Sequence, residues 1–211
     1  MKQFDLSLYL ILDPDLCREV GMVETARLAA AGGATMVQLR DKSADTSGMV
    51  EMGRALKAVL APLGIPLVVN DNVDAAIAIG ANGVHVGQSD LAAAEARRRI
   101  PEEMILGVSV ETVDLATMVD PAIVDYVGVG PVFATGTKPD HKQPIGFDGL
   151  ARIVAAAPVP AVAIGGLKPG HASRVFAAGA RGLAVVSAIC GTLRPEDATR
   201  ALAREIEEAH R

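Results

Sequence analysis

With 211 residues, half of them hydrophobic and only 3 % aromatic, the chain can bury a large core of Val, Ile, Leu and Ala, a composition that suits parallel strands covered on both faces. The net charge of −5 argues against nucleic acid as a partner. A small phosphate is not excluded, because a few local cations and backbone N–H groups suffice to bind one.

The opening MKQFDLSLYLILDPD has no basic stretch followed by a clean apolar run. It reads as a first strand, LYLIL (8–12), rather than a secretion signal. Seven more strand patterns follow: TMVQLR (35–40), PLVVN (66–70), GVHVG (83–87), ILGVS (105–109), VDYVGVG (124–130), VPAVAIG (159–165) and GLAVVS (182–187). Ala-, Leu-, Glu- and Arg-rich segments of helical length separate them. Eight such units predict a single-domain (β/α)8 TIM barrel over 1–211, of the α/β class. The recurring AGGATMVQ, IGANGVHV and AAGARGLAV mark the helix-to-strand turns, with glycine as the helix C-cap. An open nucleotide-binding sheet is disfavoured. Gly128-Val-Gly130 is followed by Pro131 and lacks the third glycine of that fingerprint. The two cysteines, Cys17 and Cys190, have no metal-type spacing and read as free thiols of a cytoplasmic protein. The longest uncharged run, 153–167, contains two prolines and is too short to span a bilayer. Homo-oligomerisation is left open.

A barrel carries its chemistry at the carboxyl ends of its strands. After strand two, Gln38, Arg40 and Lys42 alternate onto one side and form an anion clamp; the competing reading is a surface turn paired to Asp41 or Asp45. After strands three and four come Asn70-Asp71 and Gln88-Ser-Asp90. Asp71 and Asp90 could share one Mg²⁺ with phosphate oxygens, or each could cap a helix. His85 points inward between two outward valines and reads as a packing residue. Ser109 ends strand five as a ligand donor or as the cap of the next helix. Gly165-Gly166 and Val186-Ser187 sit where barrels hold a phosphate. Between these two regions lies ATGTKPDHKQP, a loop longer than the usual four to six or so residues. Its Thr135, Thr137 and Lys138 can reach over both.

In this order VQLRDK, VVNDNVDAA, GVHVGQSD, GVSV, GPVFATGTK, AIGG and VVSAI resemble the thiamine phosphate synthase family over about residues 8 to 190. The resemblance implies a TIM barrel transferase that joins hydroxymethylpyrimidine diphosphate to a thiazole phosphate. It implies Mg²⁺ as cofactor and small phosphorylated substrates as partners, with no nucleic acid and no membrane. By position it assigns Gln38, Arg40, Lys42 and Asn70 to the pyrimidine diphosphate, with Ser109 and Lys138 beside them, and Asp71 and Asp90 to the metal. Thr135, Thr137, Gly165, Gly166, Val186 and Ser187 fall to the thiazole phosphate. Arg40, Ser109 and Lys138 are the residues it places in catalysis. One departure stands out: Val110-Glu111 replaces a small residue and His, at positions expected to start a helix. The alternatives are a thiazole tautomerase on the same barrel, a Schiff-base aldolase using Lys138, and a non-catalytic phosphate-binding barrel.

Overall fold

A computed structural model of the chain describes residues 2–87, 93–136 and 143–210. Eight strands close into one parallel barrel in chain order: β1 (Leu8–Leu12), β2 (Met36–Leu39), β3 (Leu67–Asn70), β4 (Gly83–Val86), β5 (Ile105–Val110), β6 (Tyr126–Val129), β7 (Ala161–Ile164) and β8 (Leu183–Val185). β8 returns to β1 through the pairs Leu8 with Leu183 and Tyr9 with Ala184. Between the strands run α1 (Met22–Gly32), α2 (Thr46–Leu60), α3 (Val73–Ile79), α4 (Ala93–Arg99), α5 (Val113–Thr117), α6 (Gly146–Ala156) and α7 (Ala172–Ala177); α8 (Pro195–Ala209) comes last. Among the described residues no helix is long and apolar enough to cross a membrane.

The alternation of each strand sorts its side chains into two cores. Val37 and Leu39, Val84 and Val86, and Val127 and Val129 face outward against the helices. Each of these side chains, fully withdrawn from water, contributes roughly 1.5–3 kcal/mol. Tyr9, Met36, Val68, Ile105, Tyr126 and Val162 point inward and fill the barrel. The helix-to-strand turns follow the expected pattern, with left-handed C-caps at Gly33 (φ 106°) and Gly80 (φ 63°). Cys17 and Cys190 meet across the loops after β1 and β8, buried and free. A hydrogen bond between the two lowers the Cys17 pKa and raises that of Cys190.

Two strand glycines shape the interior. A methyl on Gly107 would lie against the Tyr126 ring and His85 Nδ1, and one on Gly128 would come within 3.2 Å of His85 Cε1. Gly128 therefore marks space reserved inside the barrel. Gly107→Ala is expected to cost about 1–3 kcal/mol through overpacking, lowering Tm by roughly 2–10 °C for a chain of this size. Thermal unfolding followed by circular dichroism measures this.

Candidate active site

The carboxyl ends of the strands surround one cavity of about 510 Å³, within the size range of small-molecule sites. Gln38, Arg40 and Lys42 all reach it. The strand itself stops at Leu39, so the alternation persists for a few residues beyond the ladder. The pairing to Asp41 or Asp45 that the surface-turn reading called for is absent. Asp41 Oδ1 accepts from the Ser43 and Ala44 amides and from the Ser43 hydroxyl, and Asp45 caps α2 through the Gly48 amide. Neither carboxylate pairs with the clamp. Arg40 instead faces Asp13, with Nη1 3.7 Å from Oδ2 and both side chains about 15 % exposed (16 % and 15 %). Asp13 follows β1 and folds over its own turn by accepting from the Asp15 and Leu16 amides. Its role as the partner of Arg40 was not visible in the sequence. Lys42 is exposed.

Asn70 and Asp71 also line the cavity. The helix-cap reading of Asp71 is overturned, because the cap of α3 is Asn72, whose side chain accepts from the Ala75 amide at 2.8 Å. Asp71 takes a left-handed backbone (φ 63°), the one non-glycine residue to do so among those described. Its amide donates to the His85 carbonyl at 2.8 Å, and its Oδ2 accepts from Asn70 Nδ2 at 2.6 Å. The carboxylate is thus held at the mouth. Asp90, with Gln88, lies outside the described residues, as do Thr137, Lys138, His141 and Lys142.

Ser109 belongs to β5 and does not cap α5; Thr112 does, through the Leu115 amide. Val110 is the last residue of β5, so the expected helix start at Val110-Glu111 is also corrected. Helix α5 begins at Val113, and Glu111 lines the cavity.

Across the mouth, Gly165 and Gly166 both have positive φ (96° and 64°). A Cβ on Gly165 would meet Pro131 at 2.7 Å, and one on Gly166 would meet Phe133 Cβ at 2.7 Å. The turn after β7 can therefore pack against the chain leaving β6 only if both residues are glycine. After β8, residues 187–191 form a turn rather than a helix start. Ile189 and Cys190 donate to the Val186 carbonyl. The leading amides of that turn, at Ser187 and Ala188, have no carbonyl within it to pair with. Gly165, Gly166, Val186 and Ser187 all line the same cavity as the clamp, and Thr135 does so from the β6 loop.

The stem of that long loop is built, not loose. Val132 and Phe133 donate to the carbonyls of Ile164 and Gly165, and Ile145 and Gly146 return to those of Pro131 and Val132. Phe133 meets Phe147 edge to face and His171 at a tilt, each at 5.0 Å between ring centres, and the Arg174 guanidinium covers Phe147 at 4.2 Å.

Beneath the clamp lies a chain of polar side chains. Gln38 Nε2 donates to the Tyr9 hydroxyl at 2.7 Å. The Tyr9 and Tyr126 hydroxyls are 3.0 Å apart. Tyr126 is 3.0 Å from His85 Nδ1, and His85 Nε2 is 2.9 Å from Ser109 Oγ. Burial lowers the His85 pKa to about 4, so the ring is neutral near pH 7. Burial raises both phenols above their ordinary value. Tyr9 and Tyr126 were missed from sequence, where each reads as a core aromatic within an apolar strand.

A closed (β/α)8 barrel that gathers its polar side chains around one cavity at the carboxyl ends of its strands is the architecture of a barrel enzyme. The thiamine monophosphate synthase family model matches residues 8–189. The thiamine-phosphate synthase of Xanthobacter autotrophicus is 50 % identical over 201 residues, covering 95 % of each chain. That of Azorhizobium caulinodans is 47 % identical over 208 residues, covering 99 % of this chain and 98 % of its own. A solved thiamine phosphate pyrophosphorylase from Pyrococcus furiosus superposes with a TM-score of 0.87 at 36 % identity, over 97 % of this chain and 96 % of that one. The chain belongs to the thiamine monophosphate synthase family and is an enzyme of the transferase class.

Proposed function

We propose that the enzyme joins hydroxymethylpyrimidine diphosphate to a thiazole phosphate, forming thiamine phosphate and releasing diphosphate. The observation that carries this reading is the shared cavity at the carboxyl ends of the strands, which has an anion clamp (Gln38, Arg40, Lys42) on one side and a double-glycine turn and the β8 turn on the other. Two phosphorylated reactants fit such a cavity end to end, and the bond between them forms where the two regions meet.

The chemistry asked of these residues is modest. On this reading the carbon–oxygen bond to the diphosphate breaks first, and the aminopyrimidine carries the resulting positive charge. The thiazole nitrogen then attacks that carbon. Arg40, Lys42 and Ser109 would stabilise charge on the departing diphosphate, with Lys138 assigned to the same task. The Gly165-Gly166 turn, Thr135, Thr137, Val186 and Ser187 would hold the thiazole phosphate in line. Holding both reactants in place and excluding water is where such a site gains most of its rate.

A magnesium ion fits the donor chemistry. Among the described residues the cavity is lined by two cationic groups, Arg40 and Lys42, and by three carboxylates, Asp13, Asp71 and Glu111. A diphosphate entering that mouth needs further positive charge. Mg²⁺ is commonly held by one or two carboxylates while substrate phosphates and water complete its shell, so Asp71, with Asp90, would hold it. Bound there, the ion would neutralise the leaving diphosphate.

The test is a coupling assay with both substrates, in Mg²⁺ or in EDTA, with thiamine phosphate followed by mass spectrometry. Mg²⁺-dependent product is expected. Folded protein that gives none would sink this reading, and isomerisation of the thiazole phosphate alone would establish a tautomerase instead.

A further inference from the structure

The buried chain from Gln38 to Ser109 takes its direction from the Gln38 amide, whose nitrogen rather than oxygen faces Tyr9. An amide nitrogen only donates, so the Tyr9 oxygen accepts from Gln38 Nε2. Each phenol has one hydrogen to give. With Gln38 donating to Tyr9, that of Tyr9 points to the Tyr126 oxygen, 3.0 Å away, and that of Tyr126 to His85 Nδ1, also 3.0 Å away. A ring nitrogen that accepts carries no hydrogen. On that arrangement His85 carries its hydrogen on Nε2 and donates to Ser109 Oγ at 2.9 Å. The serine oxygen accepts from below, where Ser109 lines the cavity.

The barrel has made room for this chain. Tyr9, Tyr126 and His85 are 1 %, 0 % and 8 % exposed, and buried polar groups are costly unless each is satisfied. Aliphatic side chains would fill the same space more cheaply. A methyl on Gly107 of β5 would strike the Tyr126 phenol and His85, and one on Gly128 of β6 would crowd His85 Cε1 at 3.2 Å. Gly107 pairs with both His85 and Tyr126 in the sheet register. The two ends of the chain, Gln38 on β2 and Ser109 on β5, both line the cavity.

We propose that Tyr9, Tyr126 and His85 are positioning residues: they transmit the orientation of the Gln38 amide across the barrel and set how Ser109 Oγ is held at the cavity wall. The catalytic half of this inference rests on the proposed coupling reaction, in which Ser109 contacts the departing diphosphate. The structural half does not.

The two halves are tested separately. Long-range nitrogen–proton NMR on the ligand-free full chain, labelled at histidine and assigned by comparison with His85→Asn, reads the tautomer of His85 directly. The Nε2–H form is expected in the wild type; the Nδ1–H form would overturn the relay. Gln38→Met removes the group that sets the direction, three hydrogen bonds from the ring, and is expected to let the Nδ1–H form appear. A ring that stays wholly Nε2–H in this variant would show that Gln38 does not set the direction. Tyr9→Phe makes the same cut if Gln38→Met fails to fold. For the catalytic half, Tyr126→Phe is expected to lower kcat about tenfold or more, with KM for both substrates nearly unchanged. An unchanged kcat, with the tautomer disturbed, would overturn it. If the wild type shows no coupling at all but its tautomer responds as expected, the functional reading fails and the relay stands.

Discussion

Arg40→Ala is expected to reduce kcat/KM for coupling by a factor of about 30 to several thousand, the cost of truncating one partner of a largely desolvated charge pair. Two effects combine. The guanidinium is removed from the clamp, where its planar fork can hold two phosphate oxygens at once. Asp13, 15 % exposed and 3.7 Å away, then loses its partner and faces the cavity as an uncompensated carboxylate. The incoming diphosphate meets repulsion where it had met attraction. Two further variants separate the effects. Arg40→Lys keeps the charge without the fork and should fall between wild type and Arg40→Ala. The double variant Arg40→Ala with Asp13→Asn removes the orphaned charge while the side-chain oxygen still accepts from the Asp15 and Leu16 amides. It should recover part of the loss, chiefly in KM. Steady-state kinetics against each substrate decide the matter; an Arg40→Ala enzyme within about threefold of wild type would place the diphosphate elsewhere.

The fold was legible because its signals are local. All eight strand patterns are strands, and the ends move by only a residue or two: 35–40 becomes Met36–Leu39, and 182–187 becomes Leu183–Val185. Periodicity reports which face is buried, whereas the ladder ends where hydrogen bonding does. The polar positions at the mouth were legible for a related reason. Once the barrel is assumed, the end of each strand points to the same place. What the sequence hid was partnership. Asn70-Asp71-Asn72 offers neighbouring candidates for one cap, and only the backbone decides that Asn72 takes it. Ser109 and Thr112 pose the same choice, and Thr112 takes the cap. Asp13 reaches Arg40 from a different strand. Tyr9 and Tyr126 are 117 positions apart, yet their hydroxyls touch. His85 read as a packing residue because nothing in GVHVG reveals Tyr126 on one side and Ser109 on the other. The glycines at 107 and 128 were the one available hint, since glycine inside a strand often marks a close approach.

Asp71→Asn carries the second large effect, and the backbone makes it a clean test of charge. Asp71 sits at φ 63°, a region that Asp and Asn both tolerate and that costs most other residues roughly 1–2 kcal/mol. Its amide is tied to the His85 carbonyl, and its Oδ2 accepts from Asn70. Asparagine keeps the shape, the backbone preference and an acceptor oxygen, and removes the negative charge. Tm should therefore move by less than about 2 °C. Asp71→Ala, which loses the backbone tolerance as well, should fall by about 2–8 °C. If Asp71 holds Mg²⁺ as proposed, the asparagine variant will need at least about tenfold more Mg²⁺ for half-maximal rate, since even partners that only orient a metal ligand cost 10–100-fold in affinity. The response at saturating Mg²⁺ then separates two roles. Recovery of kcat would mean that the carboxylate serves only to recruit the ion. A persistent loss would mean that its charge is also needed as the diphosphate departs. An unchanged Mg²⁺ requirement would remove Asp71 from the metal site and leave its left-handed backbone serving the strand end alone.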